Sequence, residues 1–524
     1  MSLEHLRVVV DHLLPAVPAG SLAAPLPGAR PVLLASMANR HSGPVLILTP
    51  RSDTAEELVT LLGPFLPTTR QPVLWDTPHA IPFEQLPFEH AAAAHRVRLL
   101  ADLIDGQQPI IVASGRNLMH PTIAPEDLRT MRRTFRKGQR INQDQLMHWA
   151  VTQGYQREPL VFEPGAIAQR GGVIDIFPPD ADRPIRLDLF GDEIESIRTF
   201  DPQSQRSLQT QDAVDLLPPV DIAMFRSAAA AQALGAINDR SLRAEVLSEW
   251  RHMIDRIAAG SLPSGIDILS PFFAPSLTSL LTYLVPETMV ILDDLTGLQR
   301  TVEDIEHHAD ELRAGFVVNQ EMLPNLPDPF LRWERLTEEL GTFPAISIVH
   351  EAGTDERGLF RTPPQFAGRM SRLTSELGTL LDDGWAIQIA TDQQRRLGEI
   401  LEEANLFPRK VRSRNEVPLI PPGTIDVRGA DVSTGWSIPT ARLLLLTDLE
   451  VFGFGKRVTT RRGRSSGDQA AFAESLTPGE YVVHIDQGVG RFAGLVRNEL
   501  GGVEREYLLL EYARGERLYV PVDQ

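Results

Sequence analysis

The sequence predicts a multidomain α/β protein with a β-rich insert and a small β-barrel near its C-terminal end. Its 524 residues correspond to roughly three or four domains. In two regions, continuous apolar runs alternate with helical patterns, which is typical of parallel sheets. In two other regions, apolar and polar residues alternate between glycine turns, which is typical of antiparallel sheets.

The composition excludes several classes of protein. The formal net charge of −18 argues against a chain that coats nucleic acid along its whole length, although a local basic patch remains compatible with it. The chain has no cysteine, which excludes disulfides, thiolate metal sites and a cysteine nucleophile. Apolar runs such as 443–446 are far shorter than the roughly 18 residues that span a bilayer. We therefore expect no membrane partner and a cytoplasmic location.

Residues 1–125 and 216–340 predict the two halves of one α/β domain. Residues 43–48 and 110–113 are continuous apolar runs, as in strands buried on both faces. A helix that Ser52 or Asp53 can cap follows the first run, and a second helix is expected from about residue 89 to 104. In the second half, residues 289–294 predict one more buried strand among helices.

Residues 126–215 predict a β-rich insert within this domain. A short helix is expected around residues 143–152, and residues 171–177 form a strand candidate. Residues 185–190 alternate apolar and polar side chains, and Gly191-Asp192 turns the chain into residues 193–200, which predicts a hairpin. A basic patch precedes these elements and consists of Arg132, Arg133, Arg136, Lys137 and Arg140.

Residues 341–455 predict a second, smaller α/β domain. Its strands are expected at residues 386–390 and 443–447, with a helix over 393–405. Residues 456–475 are rich in Arg, Gly and Ser, which predicts a basic flexible linker. Residues 476–524 alternate with period two between glycine turns, which predicts the small β-barrel.

No phosphate-binding loop is found. Such a loop needs several glycines followed by Gly-Lys-Ser/Thr, so that backbone N–H groups and one lysine hold the phosphates. The Gly455-Lys456 pair is followed by Arg457, and the turn at residues 27–31 has one glycine, no lysine and two prolines. We therefore expect no ATP hydrolysis by this chain.

Two polar motifs are open to a functional and a structural interpretation. Asp293-Asp294 follows a predicted buried strand and could hold magnesium, but without a phosphate loop we favour a helix cap. His307-His308 resembles a ligand pair. However, adjacent positions of a helix face different ways, so a surface position is favoured.

Arg170, Arg186 and Phe190 lie in the predicted insert and leave two interpretations open. Arginines beside an exposed aromatic residue are typical of interface anchors. Alternatively, they belong to an ordinary solvated sheet face, with Arg186 paired to a carboxylate such as Glu195 on the next strand.

The C-terminal stretch resembles a known domain. Residues 484–490, 506–512 and 518–521 carry the patterns His-x-x-x-Gly-x-Gly, Glu-Tyr-Leu-x-Leu-x-Tyr and Leu-Tyr-Val-Pro. These patterns resemble the RNA polymerase-interacting domain of bacterial transcription-repair coupling factors (Mfd), which CarD-type regulators share. Gln487 departs from the histidine that is more usual there. His484 has no evident catalytic partner, and we expect it to pack or to form a hydrogen bond.

The resemblance extends upstream over essentially the whole chain. Residues 169–177, 186–195 and 200–206 are similar to the insert that the coupling factors share with UvrB, and residues 446–453 to the end of their third domain. The resemblance implies a degenerate, helicase-like first domain and an SH3- or Tudor-like barrel. It also implies that the motor domains are missing here, because the chain is an N-terminal portion or a truncated reading frame. ATP, magnesium and translocation on double-stranded DNA would then belong to that missing part, and this chain itself would need no cofactor.

The resemblance further implies an adaptor in transcription-coupled nucleotide-excision repair. The insert would bind UvrA through Arg170, Arg186 and Phe190. The barrel would bind the β subunit of RNA polymerase through an open strand edge that includes Arg491, Val496, Arg497 and Asn498. The alternatives are a UvrB-like ATP-dependent helicase and a CarD-like transcription regulator, which would explain only about the last 50 residues.

Overall fold

The computed structural model of the protein describes residues 2–14, 20–23, 26–76, 83, 90–261, 263, 266–274, 276–349, 359–409, 420–454, 479–484, 488–500, 503–511 and 517–521. These residues form two compact units, Met1–Thr460 and Arg461–Gln524. The predicted linker at residues 456–475 lies outside the described residues. No helix among the described residues is both long enough and apolar enough to cross a bilayer.

The first part of the chain alternates helices and short strands. Its elements are α1 (Glu4–Leu13), β1 (Gly20–Ala23), α2 (Arg30–Arg40), β2 (Val45–Thr49), α3 (Ser52–Leu62), β3 (Pro72–Leu74), α4 (His90–Ile104), β4 (Ile110–Ser114), α5 (Gly115–Met119) and α6 (Pro125–Met131). The predicted strands and helices at β2, β4, α3 and α4 are confirmed. The predicted cap of α3 is wrong: Arg51 occupies the N-cap position in an extended conformation, so Ser52 and Asp53 lie within the first turn.

The predicted insert is β-rich. Its elements are β5 (Arg133–Arg136), α7 (Gln143–Thr152), β6 (Gln156–Arg157), β7 (Ala166–Arg170), β8 (Val173–Ile176), β9 (Ile185–Phe190), β10 (Glu193–Phe200), β11 (Ser207–Gln211) and β12 (Ala213–Leu216). One sheet has the order β11-β10-β9-β8-β7-β6, and β12 pairs with β5 in a separate ribbon. The predicted β9–β10 hairpin is confirmed, with Phe190 opposite Glu193. The apolar face of this sheet packs on α7 in a core of its own.

The chain then returns to helices and completes the first sheet. The elements are α8 (Ser227–Gly235), α9 (Ala244–Ala258), β13 (Met289–Asp293), α10 (Leu295–Val318), α11 (Trp333–Leu340) and β14 (Ala345–Val349). The first sheet has the order β1-β14-β13-β2-β4-β3, and all of its pairings are parallel. We expected β14 in the second α/β domain. It instead pairs with β1 and β13, so the first domain extends beyond the predicted boundary at residue 340.

A second α/β domain follows. Its elements are α12 (Met370–Asp382), β15 (Ala386–Ala390), α13 (Gln394–Glu403), β16 (Ile425–Arg428), β17 (Trp436–Ile438), β18 (Leu443–Thr447) and α14 (Asp448–Phe452). The sheet order is β16-β15-β18-β17, with β17 antiparallel to β18. The predicted strands β15 and β18 are confirmed, and both are buried along their whole length because helices or domain contacts cover the two faces.

The unit Arg461–Gln524 contains one antiparallel sheet. Its strands are β19 (Tyr481–His484), β20 (Gly488–Leu500), β21 (Val503–Glu511) and β22 (Arg517–Pro521), in the order β19-β20-β21-β22. The period-two alternation thus correctly predicted antiparallel strands. Closure of this sheet into a barrel stays a prediction.

Candidate partner-binding surfaces

The insert sheet presents one polar face. Successive side chains of a strand point to opposite faces, and residues directly opposite in the register share a face. Asp175 lies opposite Arg186, which in turn lies opposite Arg198. Phe190 follows Arg186 by four positions on β9 and so lies on the same face. We call this surface the polar face; its members are Arg170, Asp175, Arg186, Asp188, Phe190 and Arg198.

Asp175 is the centre of the polar face. Its carboxylate is fully buried and accepts hydrogen bonds from Arg170 (Nη2–Oδ2, 2.7 Å) and Arg186 (Nε–Oδ1, 2.7 Å; Nη2–Oδ2, 2.9 Å). These hydrogen bonds raise the pKa of the Arg186 guanidinium above its usual value. The guanidinium also lies 4.4 Å from the ring centre of Phe200. The structure thus brings Arg170 and Arg186 together on one carboxylate.

This geometry corrects two expectations about Arg186. Its partner is Asp175 rather than Glu195, because the register shifts between Ile194 and Ser196 and leaves Glu195 without a cross-strand position. Its side chain is only 15% exposed, so most of it is held within the sheet surface. Asp175 could have been found from the sequence, since it alternates with the apolar Ile174 and Ile176 of the neighbouring predicted strand and so faces the same side as Arg186.

Phe190 and Arg170 are the accessible members of the predicted set. Phe190 is 82% exposed at the end of β9, where Gly191 adopts a positive φ of 65° to close the turn. The side chain of Arg170 is 45% exposed although it reaches Asp175. Sequence analysis missed Asp188 and Arg198, which pair with each other on the same face. An exposed aromatic ring beside charged groups is a suitable anchor for a protein partner.

Arginine–aspartate pairs attach the insert to the first domain. Arg98 of α4 donates to Asp180 in the loop after β8 (Nε–Oδ2, 2.7 Å). Arg132, from the predicted basic patch, contacts both Asp105 and Asp215. It is therefore neutralised within the fold, and the basic patch is less available to a partner than its sequence suggests.

The second surface is the hairpin of β20 and β21. Arg491 is exposed and lies opposite Tyr481 on one side and Glu511 on the other. Val496, Arg497 and Asn498 lie opposite Tyr507, Glu506 and Arg505 of β21. The β19–β20 hydrogen bonds end at Phe492, whose N–H and carbonyl bond to Glu480 and Gly479. Among the described residues, the edge of β20 beyond Phe492 has no strand partner; that this edge is open to another protein stays a prediction.

The two aspartates after β13 have structural partners. Asp294 adopts a positive φ of 63° and accepts a hydrogen bond from the Gly297 N–H (2.9 Å), so it caps α10 as predicted. Asp293 is fully buried and is paired with Arg30 at the start of α2. His307 and His308 are exposed, and His307 lies 3.4 Å from Glu311. Within the described ranges, no three His, Asp or Glu side chains are grouped to hold a metal ion.

Two segments of the chain match known domains. Residues 134–221 match the UvrB interaction domain, which covers the insert, and residues 476–524 match the CarD-like/TRCF RID domain. The matched boundaries coincide with the β-rich region and the terminal sheet described above.

Longer alignments cover almost the whole chain. The transcription-repair-coupling factor of Escherichia coli (strain K12) is 30% identical over 527 residues, which is 94% of this chain and 43% of that protein. The factor of Bacillus subtilis (strain 168) is 24% identical over 95% of this chain and 44% of its own length. The factor of Myxococcus xanthus is 29% identical over 84% of this chain and 39% of its own length. The chain therefore spans less than half the length of these curated relatives, and it belongs with the transcription-repair-coupling factors as an N-terminal portion of that family.

Proposed function

We propose that this chain is an adaptor in transcription-coupled nucleotide-excision repair, which binds stalled RNA polymerase and recruits UvrA. The observation that carries the proposal is the presence in one chain of a UvrB interaction domain and a CarD-like/TRCF RID domain. A CarD-like regulator would need only the second of these. Their combination supports a molecule with two partners.

The polar face is the UvrA-binding surface in this proposal. Phe190 supplies exposed apolar area, and Arg170 supplies a cation whose geometry is fixed by Asp175. Interface energy is usually concentrated in a few aromatic and arginine side chains, so these two residues carry most of the affinity. Arg186 acts mainly by holding Asp175 and Arg170 in place, because its own side chain is largely covered.

The open edge of β20 is the polymerase-binding surface, with the β subunit as partner. An extended segment can add to such an edge through main-chain hydrogen bonds, while alternate side chains give specificity. Val496, Arg497 and Asn498 lie along this edge, whereas Arg491 lies just before it, where β20 still pairs with Tyr481 of β19. The edge begins where pairing with β19 stops, so a partner strand has room to align there.

ATP-driven translocation belongs to the rest of such a protein, together with magnesium and most contacts to double-stranded DNA. We propose that the first domain is a degenerate helicase-like domain that binds no nucleotide. Its sheet is parallel throughout, as in many α/β nucleotide-binding domains, but the turn before α2 lacks the lysine and glycines of a phosphate loop. A UvrB-like helicase is therefore disfavoured for this chain.

A pull-down with purified UvrA tests the insert. Phe190→Ala should weaken UvrA binding at least about tenfold, since truncation of a central aromatic anchor commonly costs about 2 kcal/mol. Phe162→Ala is the matched control, because Phe162 is also an exposed phenylalanine of the insert (53%) but lies before β7, away from the β9–β10 turn. Equal UvrA binding by wild type and Phe190→Ala would place the site elsewhere. Both variants should retain RNA polymerase.

A further inference from the structure

The carboxyl edge of the first sheet is filled by the chain itself. In open α/β sheets this edge is where ligands usually bind. Here it is bordered by Asp293 at the end of β13 and by the 3₁₀ turn Pro27–Ala29, which leads into α2. Residues of α2 and of the second α/β domain occupy the space that these elements would otherwise leave open.

An ion pair occupies one side of the edge. The guanidinium of Arg30, the first residue of α2, contacts the carboxylate of Asp293, which has no exposed side-chain surface. Burial lowers the pKa of the Arg30 guanidinium, and the nearby carboxylates of Glu57 and Asp294 offset only part of this effect. Burial of a carboxylate is costly unless it is paired, so removal of Arg30 would take a charged partner away from a buried carboxylate.

The backbone of the second α/β domain covers the other side. A Cβ atom on Gly28 would lie 2.5 Å from the carbonyl oxygen of Thr434 and 2.7 Å from that of Gly435. Real side chains do not come so close to backbone atoms, so the two segments can meet in this way only because residue 28 is glycine. Two carbonyl oxygens directed at this turn would also repel a phosphate group.

The covering segment is held rigidly by Glu450 of α14. This fully buried residue accepts the Gly435 N–H (3.1 Å), the Thr447 N–H (2.8 Å) and the Thr447 hydroxyl (2.7 Å) on Oε2. The hydrogen bonds complete a capping box at the start of α14. The stretch 446–453 thus has a structural task in fixing the Thr434–Gly435 backbone over Gly28.

Apolar packing continues the contact. Val432, Trp436 and Ile438 of the second domain share one core cluster with Ala29 and Val32 of the first. Trp436 is fully buried and its ring meets that of Phe360 edge to face at 5.4 Å. A shared core of this kind is typical of permanent contacts rather than of domains that move apart.

We propose that the carboxyl edge of the first sheet is a closed joint between the two α/β domains. In this joint the Arg30–Asp293 ion pair of the first domain, which we call the latch, holds the start of α2 and the preceding Gly28 turn against residues 430–438 of the second domain. The carboxyl edge, where α/β sheets commonly bind a ligand, here holds the second α/β domain against the first. The joint couples α2 and β13 to residues 430–438, so a substitution that disrupts the contact on one side should destabilise both segments. It also keeps small ligands from the edge unless the domains separate.

Hydrogen exchange of the whole chain tests the joint with Gly28→Ala. Because the new methyl group collides with the backbone at residues 434 and 435, protection of amides in 430–438 should fall at least about tenfold. Gly398→Ala on α13 is the control, since no atom lies within 4 Å of its Cβ position, and it should lose no protection. Unchanged protection of 430–438 in Gly28→Ala would overturn the joint.

The latch is tested by Arg30→Met, Asp293→Asn and the double variant. Arg30→Met should reduce protection both in β13 and in 430–438, because a buried carboxylate at the edge then loses a charged partner. Adding Asp293→Asn should restore part of the lost protection, because it removes the negative charge of the buried carboxylate. Loss confined to α2 and β13 would show a merely local role for Arg30. A double variant no better protected than Arg30→Met would show that the ion pair is not the latch. Either result would overturn this part of the proposal.

Discussion

At the scale of single residues, Arg186 and Phe190 lie on the same face of the same strand but have different environments. Arg186 donates two hydrogen bonds to a fully buried carboxylate and stacks on Phe200. Phe190 is mostly exposed and contributes little to the core. Substitution of Arg186 could therefore reduce UvrA binding by destabilising the insert, whereas substitution of Phe190 would remove a surface contact. Stability must be measured together with binding to tell these two effects apart.

We predict that Arg186→Ala destabilises the insert by about 3 kcal/mol, because it removes the main partner of a buried carboxylate. Arg170→Ala should cost about 1 kcal/mol or less, since its side chain is 45% exposed and Arg186 keeps Asp175 paired. Native-state hydrogen exchange of β8 and β9 measures both changes. Equal protection in the two variants would show that Arg186 is not the principal partner of Asp175.

The residue-scale features could be predicted from the sequence only in part. Period-two alternation correctly placed Arg186 on the polar face of β9, and the helix cap at Asp294 followed from its position after a strand. The partner of Arg186 could not be derived in the same way, because a one-residue irregularity in β10 displaces Glu195 from the register. The Arg30–Asp293 pair was missed because its members are far apart in sequence and meet only in the folded sheet.

At the scale of elements, α1 joins the N-terminal residues to the second α/β domain. His5 is buried, and its Nε2 lies 3.1 Å from Oε1 of Gln388 on β15. Burial, reinforced by the positive charge of Arg428, lowers the pKa of His5 to about 4. The other charged groups around the ring are Asp426, which opposes this shift, and Arg409. His5 is therefore neutral in the folded protein at pH 7.

This pKa predicts that stability falls as the solution is acidified. Between pH 6.5 and 4 the unfolded chain protonates His5 while the folded chain does not, so lowering the pH favours unfolding, by up to about 3 kcal/mol. His5→Gln, whose amide can still donate to Gln388, should show a smaller fall in melting temperature from pH 7 to 4.5. His12→Gln, on the exposed side of α1, is the control and should behave like wild type. An equally steep fall for His5→Gln and wild type would contradict the assignment.

The strands that the sequence predicted share one property: their pattern is strong and local. β2, β4 and β18 are almost continuous apolar runs, and β15 is apolar except for Gln388 at its centre. β9 and β10 alternate around a two-residue turn. Most of the strands that were not predicted are too short to establish a period: β6 has two residues, and three or four are found in β1, β3, β5, β12, β16 and β17. The other unpredicted strands, β7, β11 and β14, have five residues each. The placement of β14 in the first sheet depends on pairing with β1, more than 300 residues away, which no local pattern encodes.

At the scale of the whole molecule, the first domain has an open parallel sheet whose carboxyl edge is covered by other parts of the chain. We predict no ATPase activity of the chain, with or without DNA, and no rise in melting temperature with Mg-ATP. The reasons are the missing Gly-Lys-Ser/Thr and the Arg30 and Thr434–Gly435 groups that lie at the edge. DNA-stimulated hydrolysis that Gly28→Ala or Asp293→Asn abolishes would contradict this prediction.

The two proposed binding surfaces lie in separate compact units, so we expect mutations to separate UvrA binding from RNA polymerase binding. Val496→Pro in the whole chain should weaken RNA polymerase binding strongly, because proline removes a backbone donor from β20 and bends the strand. Arg497→Glu should weaken it less, since charge reversal leaves the main chain intact. Both variants should bind UvrA like wild type, whereas Phe190→Ala should show the reverse pattern. Pull-downs with each partner measure this, after circular dichroism has shown that the strand content is retained. If both β20 variants hold polymerase as firmly as wild type does, the binding surface is not this edge, and β20 serves only to support the terminal sheet.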